Sequence, residues 1–178
     1  MKKNGVVAVM VVLAIILVSS VALAYEFGNN WDFGKCPTCG KVLKHAGKDI
    51  MAPADKKVYF NRSGIIKQVY NDPTWKTCVV IESNSTTFIL WHLNGASSQV
   101  NQYLGKYYDV SKNGKLYLGK VASLSSGNHI HVGQRSAPYV NSTISTAGAL
   151  PQCDHKYKGL PKYPEKFKSP DSGLITFM

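Results

Sequence analysis

The sequence is poor in acidic residues and in histidines, and it lacks the patterns of a helical or repeat protein. It contains 10 acidic against 21 basic residues, which gives a formal net charge of +11 at pH 7, and only five of its 178 residues are histidines. After the N-terminus, no segment has the length and 3.6-residue periodicity of a substantial helix. There is no internal repeat and no convincing linker, so a solenoid or a two-domain chain is not expected.

The N-terminus has the pattern of a cleavable export signal. Two lysines precede an apolar run over residues 6–17, and Ala22-Leu23-Ala24 supplies the small residues that signal peptidase recognises. We interpret residues 1–24 as a signal peptide and expect the mature chain to begin at Tyr25, in the periplasm or outside the cell. Because the apolar run is shorter than the roughly 20 residues of a membrane span, membrane attachment is expected only through an uncleaved leader.

The basic charge indicates the kind of partner that the exported chain meets. The leader holds two lysines and no acidic residue, so its removal lowers the formal charge from +11 to +9. Such a surface attracts anionic polymers of the cell envelope in a salt-dependent way. Because the lysines are scattered, no nucleic-acid groove is predicted, and a merely soluble basic surface is the alternative. We expect a monomer.

Four cysteines are present, an even number that is typical of disulfides in exported proteins. They are Cys36, Cys39, Cys78 and Cys153, and the three possible pairings stay open. We expect Cys78, which lies in a strand-like run, to take part in at least one disulfide. The pair Cys36-Pro-Thr-Cys39 is also compatible with a zinc knuckle or a redox pair.

The mature chain reads as short strands rich in β-branched and aromatic residues. Predicted strands cover residues 58–60, 64–66, 69–70, 78–82, 86–93, 116–122 and 129–134. One or two helical turns are predicted at 97–104, and Lys112-Asn113-Gly114-Lys115 predicts a tight hairpin. The expected fold is mainly β, a single antiparallel sheet or sandwich domain over residues 42–145 with little helix. A lead-in over 25–41 precedes it, and an irregular, basic, Pro- and Lys-rich tail over 146–178 follows it.

Four of the five histidines lie in motif-like settings. In a strand, residues two apart point to the same face, so His129 and His131 share one face while Ile130 faces the core. His45 and Asp49 are four residues apart on a predicted loop that enters a strand. Because this spacing is even, both side chains can point to the same side and reach one point. Two imidazoles and one carboxylate suit a divalent metal and leave a position for water, and two further histidines can transfer protons. This combination suggests metal-assisted hydrolysis.

At these residues the chain resembles a known family. The stretch from His45 to Pro53, the Trp91-His92-Leu93 element and the His129-Ile-His131 strand are similar to signatures of the lysostaphin-type zinc metallopeptidases, which are peptidoglycan endopeptidases. The similarity covers roughly residues 45–141, in the family's order. It implies that His45, Asp49 and His131 bind one Zn²⁺ per chain and that His92 and His129 are catalytic without binding the metal.

The resemblance implies a secreted zinc endopeptidase that cuts peptide cross-links or stem peptides of bacterial peptidoglycan. Two alternatives are a non-catalytic wall-binding or regulatory module and a secreted zinc peptidase that acts on proteins. The chain departs from the family pattern where Val132-Gly133-Gln134 follows the last histidine, although all five site residues are present. Tyr107 and Tyr108 are weaker candidates for substrate binding, because they lie between His92 and the predicted hairpin.

Overall fold

The structure is a computed structural model that describes residues 47–125, 127–140 and 167–178. Its strands are β1 (Lys48–Met51), β2 (Lys57–Phe60), β3 (Gly64–Asp72), β4 (Lys76–Ser83), β5 (Thr86–Leu93), β6 (Tyr107–Tyr108), β7 (Leu116–Lys120), β8 (His129–Arg135), β9 (Phe167–Lys168) and β10 (Ile175–Phe177). Its helices are α1 (Ser98–Gln102) and α2 (Val110–Asn113). The predicted leader, the lead-in, His45, Cys36, Cys39 and Cys153 lie outside the described residues.

The strands form two antiparallel sheets. The large sheet has the order β1-β8-β5-β4-β3-β6, with β9 paired to β8, and the small sheet has the order β10-β2-β7. The mainly β, antiparallel architecture predicted from the sequence is therefore confirmed. No helix in the described part of the chain is long and apolar enough to cross a membrane.

The core lies between the two sheets and is built by alternate residues of their strands. Its central side chains are Val58, Phe60, Phe88, Leu90, Leu116, Leu118, Ile130 and Val132. Each of them is at most 1% exposed. Burial of one such side chain stabilises the fold by about 1.5–3 kcal/mol. Because Ile130 and Val132 face this core, the two histidines of β8 must point to the other face of the large sheet.

That other face carries a second apolar cluster, centred on Trp91. Its buried members are Cys78, Val80, Ile89, Trp91 and Phe167, with Trp75 and Tyr139 packed against them. The central strands β4 and β5 are thus buried on both faces, which explains their nearly continuous apolar sequence. We call this side of the large sheet the outer face.

The expectation of a disulfide at Cys78 is wrong. Its side chain is completely buried in the outer-face cluster, where it is a free thiol. Burial raises the pKa of this thiol well above its ordinary value, so Cys78 stays protonated and packs as a small apolar residue.

The tight hairpin predicted at residues 112–115 is also wrong. Asp109 caps a short helix instead, because its side chain accepts a hydrogen bond from the backbone N–H of Ser111. Gly114 ends this helix with a positive φ of 75°. An N-cap carboxylate and a terminal glycine are helix signals, and here they override the Asn-Gly turn signal.

The end of the predicted irregular tail belongs to both sheets, which corrects that part of the expectation. Met178 and Lys57 exchange two backbone hydrogen bonds of 3.0 and 3.1 Å, and β10 pairs with β2. Leu174 and Ile175 are buried in the core. These apolar side chains cover the small sheet and the neighbouring core, so residues 167–178 are structural.

Candidate active site

The centre of the candidate site is a cross-strand pair on the outer face. Strands β1 and β8 run antiparallel with Asp49 directly opposite His131. The two side chains meet, with Nδ1 of His131 2.8 Å from Oδ1 of Asp49. Both are almost completely buried, at 0% exposure for His131 and 2% for Asp49. Asp49 thus lies on a strand, on the same face of the large sheet as His131.

His129 lies beside this pair, two residues earlier on the same strand face. Its Nδ1 is 2.7 Å from the backbone oxygen of Gly127. Because a carbonyl oxygen only accepts, Nδ1 carries a proton and donates it. The other nitrogen, Nε2, lies 3.7 Å from Oδ2 of Asp49. The carboxylate therefore has one imidazole near each oxygen.

His92 reaches the same place through a β-bulge. The register of β4 and β5 passes from Thr77 opposite Leu93 to Val79 opposite Leu90, so β5 has one extra residue there. Leu90 and Leu93 both face the core, and His92 takes up the mismatch with a φ of 72°. Strict alternation would have pointed His92 into the core with Leu90. The bulge turns its imidazole to the outer face, which is a common use of bulges at functional sites.

The imidazole of His92 packs against that of His129 and is held by the backbone. The two ring centroids are 4.5 Å apart with an interplanar angle of 71°. Nδ1 of His92 is 3.0 Å from the backbone oxygen of Trp75, and its Nε2 has no hydrogen-bond partner among the described residues. Burial, reinforced by the charges of His129 and His131, lowers the pKa of His92 to about 3. His92 is therefore neutral at pH 7.

Gly47 explains why a glycine precedes Asp49 in the first motif. A Cβ built on Gly47 would fall on Nε2 and Cε1 of the His131 ring and on the backbone oxygen of Val132. Only a residue without a side chain lets the chain pass this close to the imidazole. The glycine thus sets the approach of β1 to the histidine strand.

The two described donors, Asp49 and His131, are of the kinds that a zinc ion binds. In the structure, Oδ1 of Asp49 and Nδ1 of His131 lie 2.8 Å apart, so one proton lies between them in a hydrogen bond. Ligand atoms of a tetrahedral zinc ion with bonds of about 2.1 Å lie about 3.4 Å apart, so the two side chains would separate by about 0.6 Å to bind one ion. Zinc replaces such a proton, since metal ligands bind in deprotonated form. Within residues 47–125, 127–140 and 167–178, no group of three or more possible ligands is formed, and the third predicted ligand, His45, lies outside them.

The two tyrosines predicted to bind substrate lie elsewhere. They form β6, which is separated from β8 by three strands, or roughly 19 Å at about 4.8 Å per strand spacing. Tyr108 is completely buried, and its hydroxyl accepts a hydrogen bond from Gln99 and donates one to the backbone oxygen of Asn113. Tyr107 is 60% exposed at this opposite edge. Tyr108 is therefore a core residue, and that part of the prediction is wrong.

Sequence reasoning missed the two backbone carbonyls that orient the histidines. The carbonyl of Gly127 precedes the histidine strand, and the carbonyl of Trp75 lies on the turn between β3 and β4. No sequence signal connects the turn between β3 and β4 to His92. The ligand and catalytic roles assigned to the five site residues stay predictions.

No protein-family model and no curated protein matches the sequence. Solved structures do match it. LytU aligns with 18% identity and a TM-score of 0.48 over 62% of this chain and 74% of its own. The catalytic domain of lysostaphin from Staphylococcus simulans aligns with 19% identity and a TM-score of 0.48 over 64% of this chain and 83% of its own.

A third match is a zinc-containing peptidase from Vibrio cholerae, with 22% identity and a TM-score of 0.47. The alignment covers 63% of this chain but only 34% of that protein, so the chain spans about a third of its length. The structural neighbours are thus peptidases of the lysostaphin family at low sequence identity. All three TM-scores are below 0.5, so the likeness to these structures assigns no function to this chain.

Proposed function

We propose that the protein is an exported zinc endopeptidase that hydrolyses peptide cross-links or stem peptides of bacterial peptidoglycan. One observation carries this proposal: Asp49, His129 and His131 meet His92 at one buried point, and His92 arrives there only through a bulge. A non-glycine residue with a φ of 72° costs about 1–3 kcal/mol and persists mainly where function requires it. A strained histidine aimed at two others and a carboxylate supports a catalytic site.

His45, Asp49 and His131 would hold one zinc ion per chain. When bound there, the ion would lower the pKa of a bound water toward 7 and polarise the scissile carbonyl. The ligands carry one negative charge between them, which leaves net positive charge near the developing oxyanion. Asp49 receives its position from the pairing of β1 with β8, so the rigid sheet fixes the site.

The two remaining histidines are suited to proton transfer. Each donates its Nδ1–H to a backbone carbonyl, so each presents Nε2 as the acceptor. Nε2 of His129, next to the carboxylate of Asp49, can take a proton and is then stabilised by that negative charge. Nε2 of His92 belongs to a neutral ring that can accept a hydrogen bond from water or from the substrate. Such general acid–base groups contribute typically 10²- to 10⁴-fold to a rate.

The substrate class follows from the resemblance of the site residues, from the predicted leader and from the net charge. The five motif residues resemble those of peptidoglycan endopeptidases, and the leader predicts export to the compartment that contains the wall. The formal charge of +9 that remains after removal of the leader would hold the protein on anionic envelope polymers. Residues 25–178 would therefore meet wall peptides at high local concentration.

Digestion of purified sacculi by the zinc-loaded mature protein tests the proposal. Mass spectrometry of the soluble fragments should show new termini within the peptide part and intact glycan bonds. His129→Ala should release nothing, and Tyr107→Phe, at the far edge of the large sheet, should behave like the wild type. Cleavage of an unfolded protein substrate with untouched sacculi would refute peptidoglycan as the substrate.

A further inference from the structure

The turn between β3 and β4 is fixed by one carboxylate. Oδ1 of Asp72 accepts two hydrogen bonds of 2.8 Å, from the backbone N–H groups of Thr74 and Trp75. At the far side of the turn, Lys76 has a φ of 68°, a conformation that a side-chain-bearing residue rarely adopts. The peptide unit between Trp75 and Lys76 is thus held from both sides, which fixes the direction of the Trp75 carbonyl.

A second contact closes the turn at its base. Thr77 donates its hydroxyl hydrogen to the side-chain oxygen of Asn71 over 2.7 Å, directly below the turn. Asn71 and Thr77 are also backbone partners in the β3–β4 ladder. The two residues at the base of the turn are therefore held together by side-chain and backbone contacts, so the hydrogen bonds of Asp72 have only the residues between them left to order.

This turn contacts His92 in two ways. The Trp75 carbonyl accepts from Nδ1 of His92 at 3.0 Å, and the indole of Trp75 lies 6.1 Å from the imidazole, centroid to centroid. Since the carbonyl has no hydrogen to give, it selects the tautomer of His92 that carries its proton on Nδ1. Nε2 is left as the acceptor, and the ring orientation is set by the same bond.

We propose that Asp72 is a positioning residue for His92, acting through the carbonyl of Trp75. His92 needs such support because it lies on a bulge, where the regular ladder does not define its direction. Asp72 orders the turn, and the ordered turn sets the direction of the Trp75 carbonyl. This carbonyl fixes both the tautomer and the ring plane of His92. The kinetic consequence rests on the proposed function, whereas the effect on the tautomer does not.

The test compares the tautomer of His92 with hydrolysis in three variants. Asp72→Ala removes the acceptor, and Asp72→Asn keeps an oxygen that can accept both N–H bonds. Asp109→Ala is the matched control, because it removes the same kind of side-chain cap from another turn, at the start of α2. Nitrogen-15 NMR of the imidazole at pH 7.5 reads the tautomer directly, on zinc-loaded protein.

We expect the wild type, Asp72→Asn and Asp109→Ala to show a protonated Nδ1 and an unprotonated Nε2 at His92. Asp72→Ala should show a mixture of tautomers, together with a fall of about tenfold in kcat and little change in KM, a part of the acid–base contribution. A wild-type His92 protonated on Nε2, or an unchanged tautomer in Asp72→Ala, would overturn the proposal. A tautomer that shifts as expected in a protein without hydrolytic activity would support the positioning role and refute the proposed function.

Discussion

The pKa of His92 predicts how the stability of the protein depends on pH. In the folded state this pKa is lowered to about 3, mainly by burial. An unfolded chain has a histidine pKa of about 6.5. Between these values the unfolded state binds a proton at this residue and the folded state does not. The free energy of unfolding therefore falls as the pH drops below about 6.5 and rises with pH through that window.

The magnitude follows from the width of the window. Each pH unit well inside it costs about 1.4 kcal/mol, so lowering the pH from 7 to 5 should cost about 2 kcal/mol through His92 alone. Any folded-state pKa below about 4 gives the same loss over this range, because the imidazole then stays neutral at pH 5. A loss of this size is large against a total stability of roughly 5–15 kcal/mol.

Urea unfolding of the metal-stripped protein at pH 7 and pH 5 measures this cost. The matched variant is His92→Gln, whose side-chain amide can still donate to the Trp75 carbonyl but does not titrate. The wild type should lose about 2 kcal/mol more than this variant between the two pH values, after the other titrating groups cancel in the difference. An equal loss in the two proteins would show that His92 binds a proton in the folded state at pH 5, which contradicts a neutral, buried imidazole.

Three further predictions concern the surroundings of the site. His92→Gly should be more stable than His92→Ala by about 1 kcal/mol in urea unfolding, because glycine adopts a φ of 72° without strain. Neither variant should hydrolyse sacculi. Equal stability of the two variants would argue against the bulge at this position. Asp171→Ala should cost about 1–3 kcal/mol, because the side-chain N–H of Gln134, a residue that is only 1% exposed, loses its acceptor, Oδ2 of Asp171. The backbone N–H of residue 171 still donates to Oε1 of Gln134 in this variant. Lys168→Ala should cost less than about 0.5 kcal/mol. Gly47→Ala should weaken zinc binding in a competition titration with a chelator, since its Cβ displaces the ring of His131; unchanged affinity would contradict the close packing.

The sequence predicted the part of the site that depends on strand parity. His129 and His131 share a face, as strand parity predicts, because β8 is regular. The position of Asp49 opposite His131 was not predicted, because the sequence does not show that β1 pairs with β8. The predicted bounds of β5, Thr86–Leu93, are those of the structure. Parity alone did not assign ligands and catalytic residues to separate roles, and that division came from the resemblance.

The position of His92 could not be predicted from parity. Alternation from Leu90 places the side chain of His92 in the core. The positive φ of His92 turns the side chain to the outer face, and the sequence gives no sign of this conformation because residue 92 is not a glycine. The strands at the C-terminal end were missed for another reason. β9 and β10 contain two and three residues, which is too short for a recognisable period, and they form through pairing with distant strands β8 and β2.

The most direct test of the proposed activity is a zinc titration of hydrolysis. Chelator-stripped mature protein is mixed with sacculi, zinc is added in steps, and the soluble peptide fragments are quantified at each step. Release should be negligible without metal and should reach its plateau at about one zinc ion per chain, as expected for a single site with three protein ligands. Full release by the stripped protein, or a plateau reached equally by His129→Ala, would contradict the account.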